Sequence, residues 1–146
     1  MANPSFTFSK QERLCSETRI NELFLSGESF MSYPVRVVWL AFKADQNPEV
    51  QVVMSVPKKK LKHAVDRNRV KRLLREAYRL NKQVFRDQAL NQGYTLHIAF
   101  IWIPSEVLEY PKVEKKMRDA LAKLEKLLQD KVVALEAIET SDIETL

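Results

Sequence analysis

One segment in the second half of the chain, Tyr94 to Ile103, is apolar almost without interruption. Gly93 precedes it and Pro104 follows it, so both of its ends are marked. A strand that is buried on both faces has this continuous pattern, whereas a strand with one solvated face alternates apolar and polar residues. The segment therefore predicts a central strand, and the fold must supply covering elements on both sides of the sheet.

Two segments nearer the N-terminus also predict strands. Tyr33 to Phe42 and Val50 to Val56 are both rich in β-branched or aromatic residues, and a turn-forming cluster at 45–48 separates them. We expect these two strands to pair as an antiparallel hairpin. In the second strand, alternate residues form the better-buried side, namely Val50, Val52, Met54 and Val56.

Three helices are predicted from apolar periodicity and from end signals. The first spans Glu17 to Ser26, with Ser16 as its N-cap and Gly27 at the position of a left-handed C-cap. The second covers roughly residues 64–84, and the third begins near Pro111. The third helix carries a single apolar stripe, formed by Val113, Met117, Ala120, Leu121, Leu124, Leu127 and Leu128.

The order helix, strand, strand, helix, strand, helix predicts an α+β sandwich, in which helices pack on a mainly antiparallel sheet. With 146 residues, the chain has the size of one domain. We assign residues 1–128 to this domain. Residues 129–146 form an acidic extension with one Lys against five Asp or Glu, which either continues the last helix or is disordered.

Positive charge is concentrated around the second helix. Residues 57–86 contain twelve Lys or Arg and two Asp or Glu, and these twelve are half of the 24 basic residues of the chain. At 100° per residue, the apolar positions of this helix form one stripe of Val70, Leu73, Leu74 and Ala77. The opposite side contains Asn68, Lys71, Arg72, Arg75, Arg79, Lys82 and Arg86, with Arg67 and Arg69 beside its start.

This one-sided cationic ladder predicts a polyanionic partner. Like charges at helical neighbour spacing repel one another, and only Asp66 and Glu76 are available to relieve them. A solvated helix face is the simpler interpretation, but solvated faces usually mix signs. Arginine also suits phosphate, because its planar guanidinium can donate two hydrogen bonds to one phosphate group. Binding to a nucleic acid would weaken steeply as the salt concentration increases.

Several other classes of function are disfavoured. The single Cys15 excludes an intrachain disulfide and a Cys-based zinc site, which fits a reducing, cytoplasmic compartment. No apolar run approaches the roughly 20 residues of a membrane span, and the N-terminus has no signal-peptide pattern, so we expect no membrane association. His63 and His97 have no evident ligand cluster. We therefore expect no metal site and no catalytic residue on the protein.

The segment around the basic helix resembles a known family. The sequence Ser-Val-Pro-Lys-Lys at 55–59 is followed by Arg-Asn-Arg at 67–69 and by Lys-Arg at 71–72. This pattern resembles that of the protein component of bacterial ribonuclease P. The first-helix pattern of that family is also similar, and its counterparts here are Arg13, Leu14, Ile20, Phe24 and Gly27. In element order the resemblance covers residues 8–128.

The resemblance implies a fold like domain 2 of ribosomal protein S5, with a left-handed crossover formed by the second strand, the basic helix and the central strand. Residues 1–128 would then be a single RNA-binding domain of a ribonuclease P subunit. In that enzyme the catalytic RNA, with magnesium bound mainly by the RNA, removes the 5′ leader of precursor tRNA. The implied partners are ribonuclease P RNA, with one protein per RNA, and precursor tRNA.

Two sets of binding residues follow from the resemblance and from residue chemistry. The catalytic RNA would contact Arg67, Asn68, Arg69, Lys71, Arg72, Arg75 and Arg79, together with a cationic connector of Lys58, Lys59, Lys60 and Lys62. A cleft between the first helix and the sheet would hold the single-stranded leader through Arg13, Ile20, Phe24, Ser55 and Lys59. We add Arg36 and Trp39, because cations and aromatic rings bind single strands. For Phe24, a position in the hydrophobic core is the alternative.

Two other functions would use the same basic helix. A ribosomal or ribosome-assembly protein would bind RNA without stimulating a catalytic RNA. A DNA-binding regulator would insert the helix into a major groove, although the sequence shows neither a helix-turn-helix partner nor a heptad zipper.

Overall fold

A four-stranded mixed sheet organises the fold, and the computed structural model describes residues 8–44 and 46–144, with side chains as far as residue 138. Residues 1–7, at the start of the predicted domain, and residues 145–146, at the end of the acidic extension, lie outside the described residues, as does residue 45 of the predicted turn. The elements follow in the order of a 3-10 helix Lys10–Glu12, α1 Glu17–Ser26, β1 Glu28–Ser32, β2 Val35–Lys43, β3 Val50–Ser55, α2 Ala64–Asn81, α3 Gln83–Asn91, β4 Tyr94–Trp102 and α4 Tyr110–Glu144. The predicted α+β class is confirmed.

β4 lies inside the sheet, whose strand order is β1-β2-β4-β3. It pairs antiparallel with β2 and parallel with β3, so the β3 to β4 connection through α2 and α3 is a crossover. All residues of β4 except Ile101 are buried. The continuous apolar pattern of this segment therefore correctly predicts an internal strand.

The predicted hairpin of β2 and β3 is wrong, because the two strands lie on opposite sides of β4. β2 instead forms a hairpin with β1 through a turn that contains a cis Tyr33–Pro34 peptide bond. β1 was not predicted from the sequence, because it is short and begins with the polar residues Glu28 and Ser29. A position between β2 and β3 pairs the backbone groups on both edges of β4, as expected for a strand whose side chains are almost all buried.

Different helices cover the two faces of the sheet. On one face, residues such as Val37 and Ile98 belong to a large hydrophobic core together with residues of α2, α3 and α4. We call this side the core face. On the other face, Leu23 of α1 is buried in a smaller cluster with Val38 and Ala99, and we call this side the α1 face. The predicted buried side of β3 is confirmed and lies on the core face, with Val50, Val52, Met54 and Val56 all buried.

Helix α1 has the predicted bounds and the predicted N-cap, because the Ser16 hydroxyl accepts a hydrogen bond from the Arg19 backbone N–H. The prediction of a left-handed Gly27 is wrong, since its φ is −74° and its ψ is 156°. Glycine is required there for space instead. A Cβ at this position would lie 2.4 Å from the carbonyl oxygen of Leu23 and 2.9 Å from that of Trp39. Because no side chain intervenes at Gly27, the end of α1 packs directly on β2.

The basic segment forms two helices rather than one. Helix α2 ends at Asn81, whose side-chain amide donates a hydrogen bond to the carbonyl of Ala77, and α3 follows after Lys82. The predicted apolar stripe of α2 faces the core, with Val70, Leu74 and Ala77 buried and Leu73 partly buried. Tyr78 extends the stripe and is also fully buried.

Helix α4 carries the predicted stripe and continues through the described part of the acidic extension. Of the seven stripe residues, all are buried except Leu127, which is partly buried against the core. Beyond residue 128, Val132 is buried and Lys131 pairs with Glu28 of β1 at 3.3 Å. Within the described residues, no helix is both long enough and apolar enough to cross a membrane.

Candidate nucleic-acid interface

The side of α2 that faces away from the sheet brings most of the predicted RNA-binding residues together. Their spacing of three or four residues places them along one side of the helix. We call this surface the outer face of α2. Its exposed members are Asn68, Arg69, Arg72 and Arg75, and its partly exposed members are Lys71 and Arg79.

Arg67 has a different position from the other predicted members, because its guanidinium is used within the protein. It is partly buried, and its Nη1 donates to the carbonyl oxygens of Leu61 at 2.9 Å and Lys62 at 2.7 Å. Leu61 is itself buried in the core. Arg67 therefore ties the connector to the first turns of α2.

The cationic connector is a turn that presents its lysines to solvent. The backbone N–H of Lys60 donates to the carbonyl of Pro57 at 3.0 Å, which closes the turn after β3. The buried Leu61 fixes the far end of the turn against the core. The exposed side chains of the connector are Lys58, Lys59, Lys60 and Lys62. The connector thus extends the positive surface beyond the start of α2.

A groove of about 410 Å³ runs beside the outer face of α2. Its wall opposite the helix is Phe8, which the sequence analysis did not select. The Phe8 ring meets the buried Tyr78 edge-on with 5.6 Å between ring centroids, and the Arg13 guanidinium lies 5.5 Å from the Phe8 centroid. We call this cavity the Phe8 groove, and its lining residues are Phe8, Asn68, Lys71, Arg72, Arg75, Glu76 and Arg79.

Glu76 is an acidic residue in this otherwise cationic groove. Its carboxylate accepts hydrogen bonds from Arg79, from Nη2 at 2.6 Å and from Nε at 3.0 Å. These bonds lower the pKa of Glu76 below its usual range, so the carboxylate is ionised at neutral pH. The groove therefore contains both cationic side chains and an ionised hydrogen-bond acceptor.

Lys82 and Arg86 do not continue the exposed ladder, which corrects the sequence prediction for these two residues. Lys82 is 1% exposed, and its Nζ donates to Glu12 Oε1 at 2.5 Å, while Arg86 Nη1 lies 3.3 Å from the same oxygen. Glu12 also accepts a hydrogen bond from the Ser9 backbone N–H. Burial alone would raise the pKa of Glu12, but the bonds from Lys82 and Ser9 and the charge of Arg86 outweigh it and lower the pKa. Glu12, Lys82 and Arg86 therefore form a charged cluster within the protein.

The α1 face brings together some of the residues predicted for a leader-binding cleft. Arg36 and Ser55 both align with Ile101 of β4, so the three residues form one row across the sheet. Arg36 is exposed and donates from Nη2 to Ser29 Oγ at 3.2 Å. This row lies next to the row that contains Val38 and Ala99, on which α1 rests.

The two α1 residues predicted for the cleft differ in exposure. Ile20 and Phe24 are four residues apart and share one side of the helix. Ile20 is partly buried against the Leu23 cluster, whereas Phe24 is 46% exposed. Phe24 is therefore not a core residue, and its ring is accessible to solvent.

Two other predicted cleft residues lie elsewhere. Trp39 is 3% exposed and belongs to the core face, because it is three residues from Arg36 on the same strand and side chains alternate along a strand. Arg13 is not directed to the cleft but lies over Phe8, beside the outer face of α2. The remaining member, Lys59, is in the connector after β3.

The two histidines and the single cysteine do not assemble into a site. His97 is buried on β4 and meets the ring of Phe42 edge-on at 5.1 Å, and burial lowers the pKa of this imidazole. Cys15 is exposed ahead of α1, and His63 precedes α2. Among the described residues, no group of three or more His, Cys, Asp or Glu side chains is placed to hold a metal ion.

Comparisons with known proteins identify a single family. A sequence model described as Ribonuclease P matches residues 8–125. A ribonuclease P protein component of Porphyromonas gingivalis is 39% identical over 121 residues, which cover 83% of this chain and 88% of that protein. A second strain of this species has one that is 38% identical over 125 residues, covering 85% of this chain and 91% of that protein.

Solved structures show the same fold. The RNase P protein of Thermotoga maritima is similar with a TM-score of 0.60 and 24% identity, over 77% of this chain and 96% of that one. The RNase P protein of Staphylococcus aureus is similar with a TM-score of 0.60 and 21% identity, over 82% of this chain and 93% of that one. This chain therefore has the fold of these RNase P proteins.

Proposed function

Because the chain belongs to the ribonuclease P protein family, we propose that the outer face of α2 and the cationic connector bind the catalytic RNA of that enzyme. The chain is a subunit of ribonuclease P, an endoribonuclease of tRNA processing. The protein holds the RNA and the substrate, and the RNA cleaves. One protein molecule binds each RNA.

The observation that carries this proposal is the exposure of the cations on α2. A helix that buries one side against the sheet and presents arginines on the other offers several guanidinium groups to one RNA backbone. Arg67 supports the surface from within, because its bonds to two connector carbonyls hold the connector beside α2. Each phosphate that is neutralised releases counterions. The logarithm of the binding constant should therefore fall linearly with the logarithm of the salt concentration.

The α1 face is the second part of the proposal, as the site for the 5′ leader of precursor tRNA. Arg36 and Ser55 offer a cation and a hydroxyl in one row of the sheet, and Phe24 offers an accessible ring on α1, the helix that packs on the same face. Single strands are bound by this combination of stacking and positive charge. Trp39 is not included, because it is buried on the core face.

In this proposal, magnesium is bound mainly by the RNA, and the enzyme works in the cytoplasm. The described residues provide no cluster of carboxylates or imidazoles for a metal ion, whereas RNA phosphates and carbonyl oxygens are the oxygen ligands that magnesium prefers. The exposed thiol of Cys15 is compatible with a reducing compartment.

Reconstitution tests the function directly. Purified protein is mixed with precursor tRNA and magnesium, with and without the ribonuclease P RNA of the same genome, and the 5′ end of the product is mapped. We expect cleavage at the mature 5′ end only when the RNA is present, at magnesium concentrations too low for the RNA alone. Cleavage by the protein alone, or no stimulation of the RNA by the protein, would contradict the proposal.

The leader site is tested with Phe24→Ala in the reconstituted enzyme. Removal of one stacking ring should weaken the binding of precursor tRNA by about 1–2 kcal/mol, which is roughly fivefold to thirtyfold, and leave mature tRNA unaffected. Leu25→Ala, at the neighbouring and even more exposed position on α1, is the matched control. An equal loss for precursor and mature tRNA would remove Phe24 from the leader site.

A further inference from the structure

We propose that the Phe8 groove binds an unpaired nucleobase of the RNA partner, with the base stacked on the Phe8 ring and its polar edge directed at Glu76. The inference rests on the proposed function and makes it more specific. One part of the outer face of α2 then recognises a base rather than phosphates alone. The RNA would therefore present a bulged or looped nucleotide at this position.

The composition of the groove differs from that of a surface that binds only phosphate. Lys71, Arg72 and Arg75 provide cations for a backbone, but a phosphate gains nothing from an aromatic ring and is repelled by a carboxylate. The groove nevertheless contains both Phe8 and an ionised Glu76. A base uses both groups, because it has a π face for stacking and N–H donors on its edge.

The Phe8 ring is held in place before any ligand binds. The ring of the fully buried Tyr78 supports it edge-on, and the Arg13 guanidinium lies over one face of it and donates to the Phe8 carbonyl at 3.4 Å. Arg13 does not line the groove, so the base would stack on the other face of the ring. A fixed ring loses little side-chain freedom when a base stacks on it. The groove of about 410 Å³ falls within the 300–1,000 Å³ range of small-ligand sites, so it has room for a nucleoside.

Glu76 is also held in place, and its hydrogen bonds to other described residues leave part of its accepting capacity for a ligand. Arg79 occupies one position on each carboxylate oxygen, whereas two oxygens can accept about four hydrogen bonds. The remaining positions can accept from an amino or imino N–H of a base. A base inside a duplex cannot also stack on Phe8, because neighbouring bases already cover both of its faces, whereas unpaired bases can be unstacked and turned outward. The occupant is therefore an unpaired base.

Phe8→Leu tests the stacking, with heparin as a polyanion that has no bases. The affinity of the variant for the catalytic RNA should fall about tenfold at every salt concentration, with an unchanged salt slope, while its affinity for heparin stays equal to that of the unchanged protein. Phe8→Tyr keeps the ring and should restore RNA binding. Arg72→Ala is the contrasting variant, because it should weaken RNA and heparin together and reduce the salt slope by about one.

The outcomes separate the possibilities. Equal losses for RNA and heparin with Phe8→Leu would show that the ring supports only the shape of the cationic surface, and an unchanged RNA affinity would show that no base stacks there. Either result overturns the inference and leaves the proposed function standing. A protein that fails to stimulate the catalytic RNA would overturn the proposed function. In that case the affinities of Phe8→Leu for RNA and for heparin would still show whether the groove binds a base.

Discussion

The middle of α2 and the residues just beyond its end carry the same kind of charge in opposite environments. Arg72 and Arg75 are exposed on the outer face, whereas Lys82 is buried and paired with Glu12. Exposed charges contribute little to the free energy of folding, but they can bind a partner. A buried pair has lost its water, so the loss of either member is costly to the fold. The two regions should therefore respond to substitution in different measurements.

The largest effect is expected for Glu12→Gln, which removes the carboxylate charge that pairs with the buried Lys82 ammonium and with Arg86. The free energy of unfolding should fall by about 3 kcal/mol, as is usual when one partner of a buried pair is removed. Urea-induced unfolding at neutral pH measures it. Glu28→Gln is the matched control, because it breaks the exposed pair with Lys131 and should cost less than about 1 kcal/mol. Equal small losses for both variants would contradict the contrast.

Acid should remove part of the same stabilisation without any substitution. The pKa of Glu12 is lower in the folded protein, so the unfolded chain takes up the proton first, near the ordinary Glu value of about 4.3. The contribution of Glu12 is therefore complete above about pH 5 and is lost as the pH falls through the folded pKa. The difference in unfolding free energy between the unchanged protein and Glu12→Gln should shrink from pH 5 to pH 3. A difference that increased on acidification would reverse this assignment.

An intermediate effect, on binding alone, is expected for Arg72→Ala. Loss of one charged hydrogen bond to phosphate should weaken binding to the catalytic RNA by about 1.5 kcal/mol, or roughly tenfold. The free energy of unfolding should change by less than about 0.5 kcal/mol, because the side chain is exposed. Arg118→Ala on α4 is an exposed arginine control that should leave RNA affinity unchanged. A large fall in the free energy of unfolding in Arg72→Ala would contradict the view that the exposed charges of α2 affect binding but not stability.

The smallest effect is expected for Arg67→Lys. Arg67 is only partly buried, so its environment is intermediate between that of exposed Arg72 and that of buried Lys82. Lysine keeps the charge but cannot reproduce the guanidinium bonds to Leu61 and Lys62. RNA affinity should fall about fivefold, equivalent to roughly 1 kcal/mol, with an unchanged salt slope and faster amide exchange in the connector. A reduced salt slope would mean that the guanidinium contacts phosphate directly.

Local periodicity predicts where the helices and strands of this fold lie better than it predicts which of them pack or pair with one another. The bounds of α1, the buried side of β3 and the apolar stripe of α4 all follow from spacing within one segment. The pairing of β2 with β1 and β4 does not, because it depends on which segments meet across the sheet. Gly27 is a similar case, since the need for glycine comes from the approach of a different element rather than from its own φ.

The candidate sites show the same division. The outer face of α2 is predictable from its helical spacing, but the burial of Lys82 is not, because its partner is 70 residues away. Trp39 could have been excluded from the leader cleft by strand alternation, since it is three residues from Arg36 and must face the other side. Phe8 carried no signal, because only the folded chain places its ring beside α2.

The segment before α1 covers an outer edge of the sheet. β3 is an outer strand of the sheet, and residues 11–14 lie along it, with the Leu14 N–H bonded to the Val52 carbonyl and a bridge between Arg13 and Val52. An uncovered outer strand offers its backbone to strands of other molecules and so promotes aggregation. Removal of this segment would expose that edge, and the truncated protein should precipitate during purification in the absence of RNA.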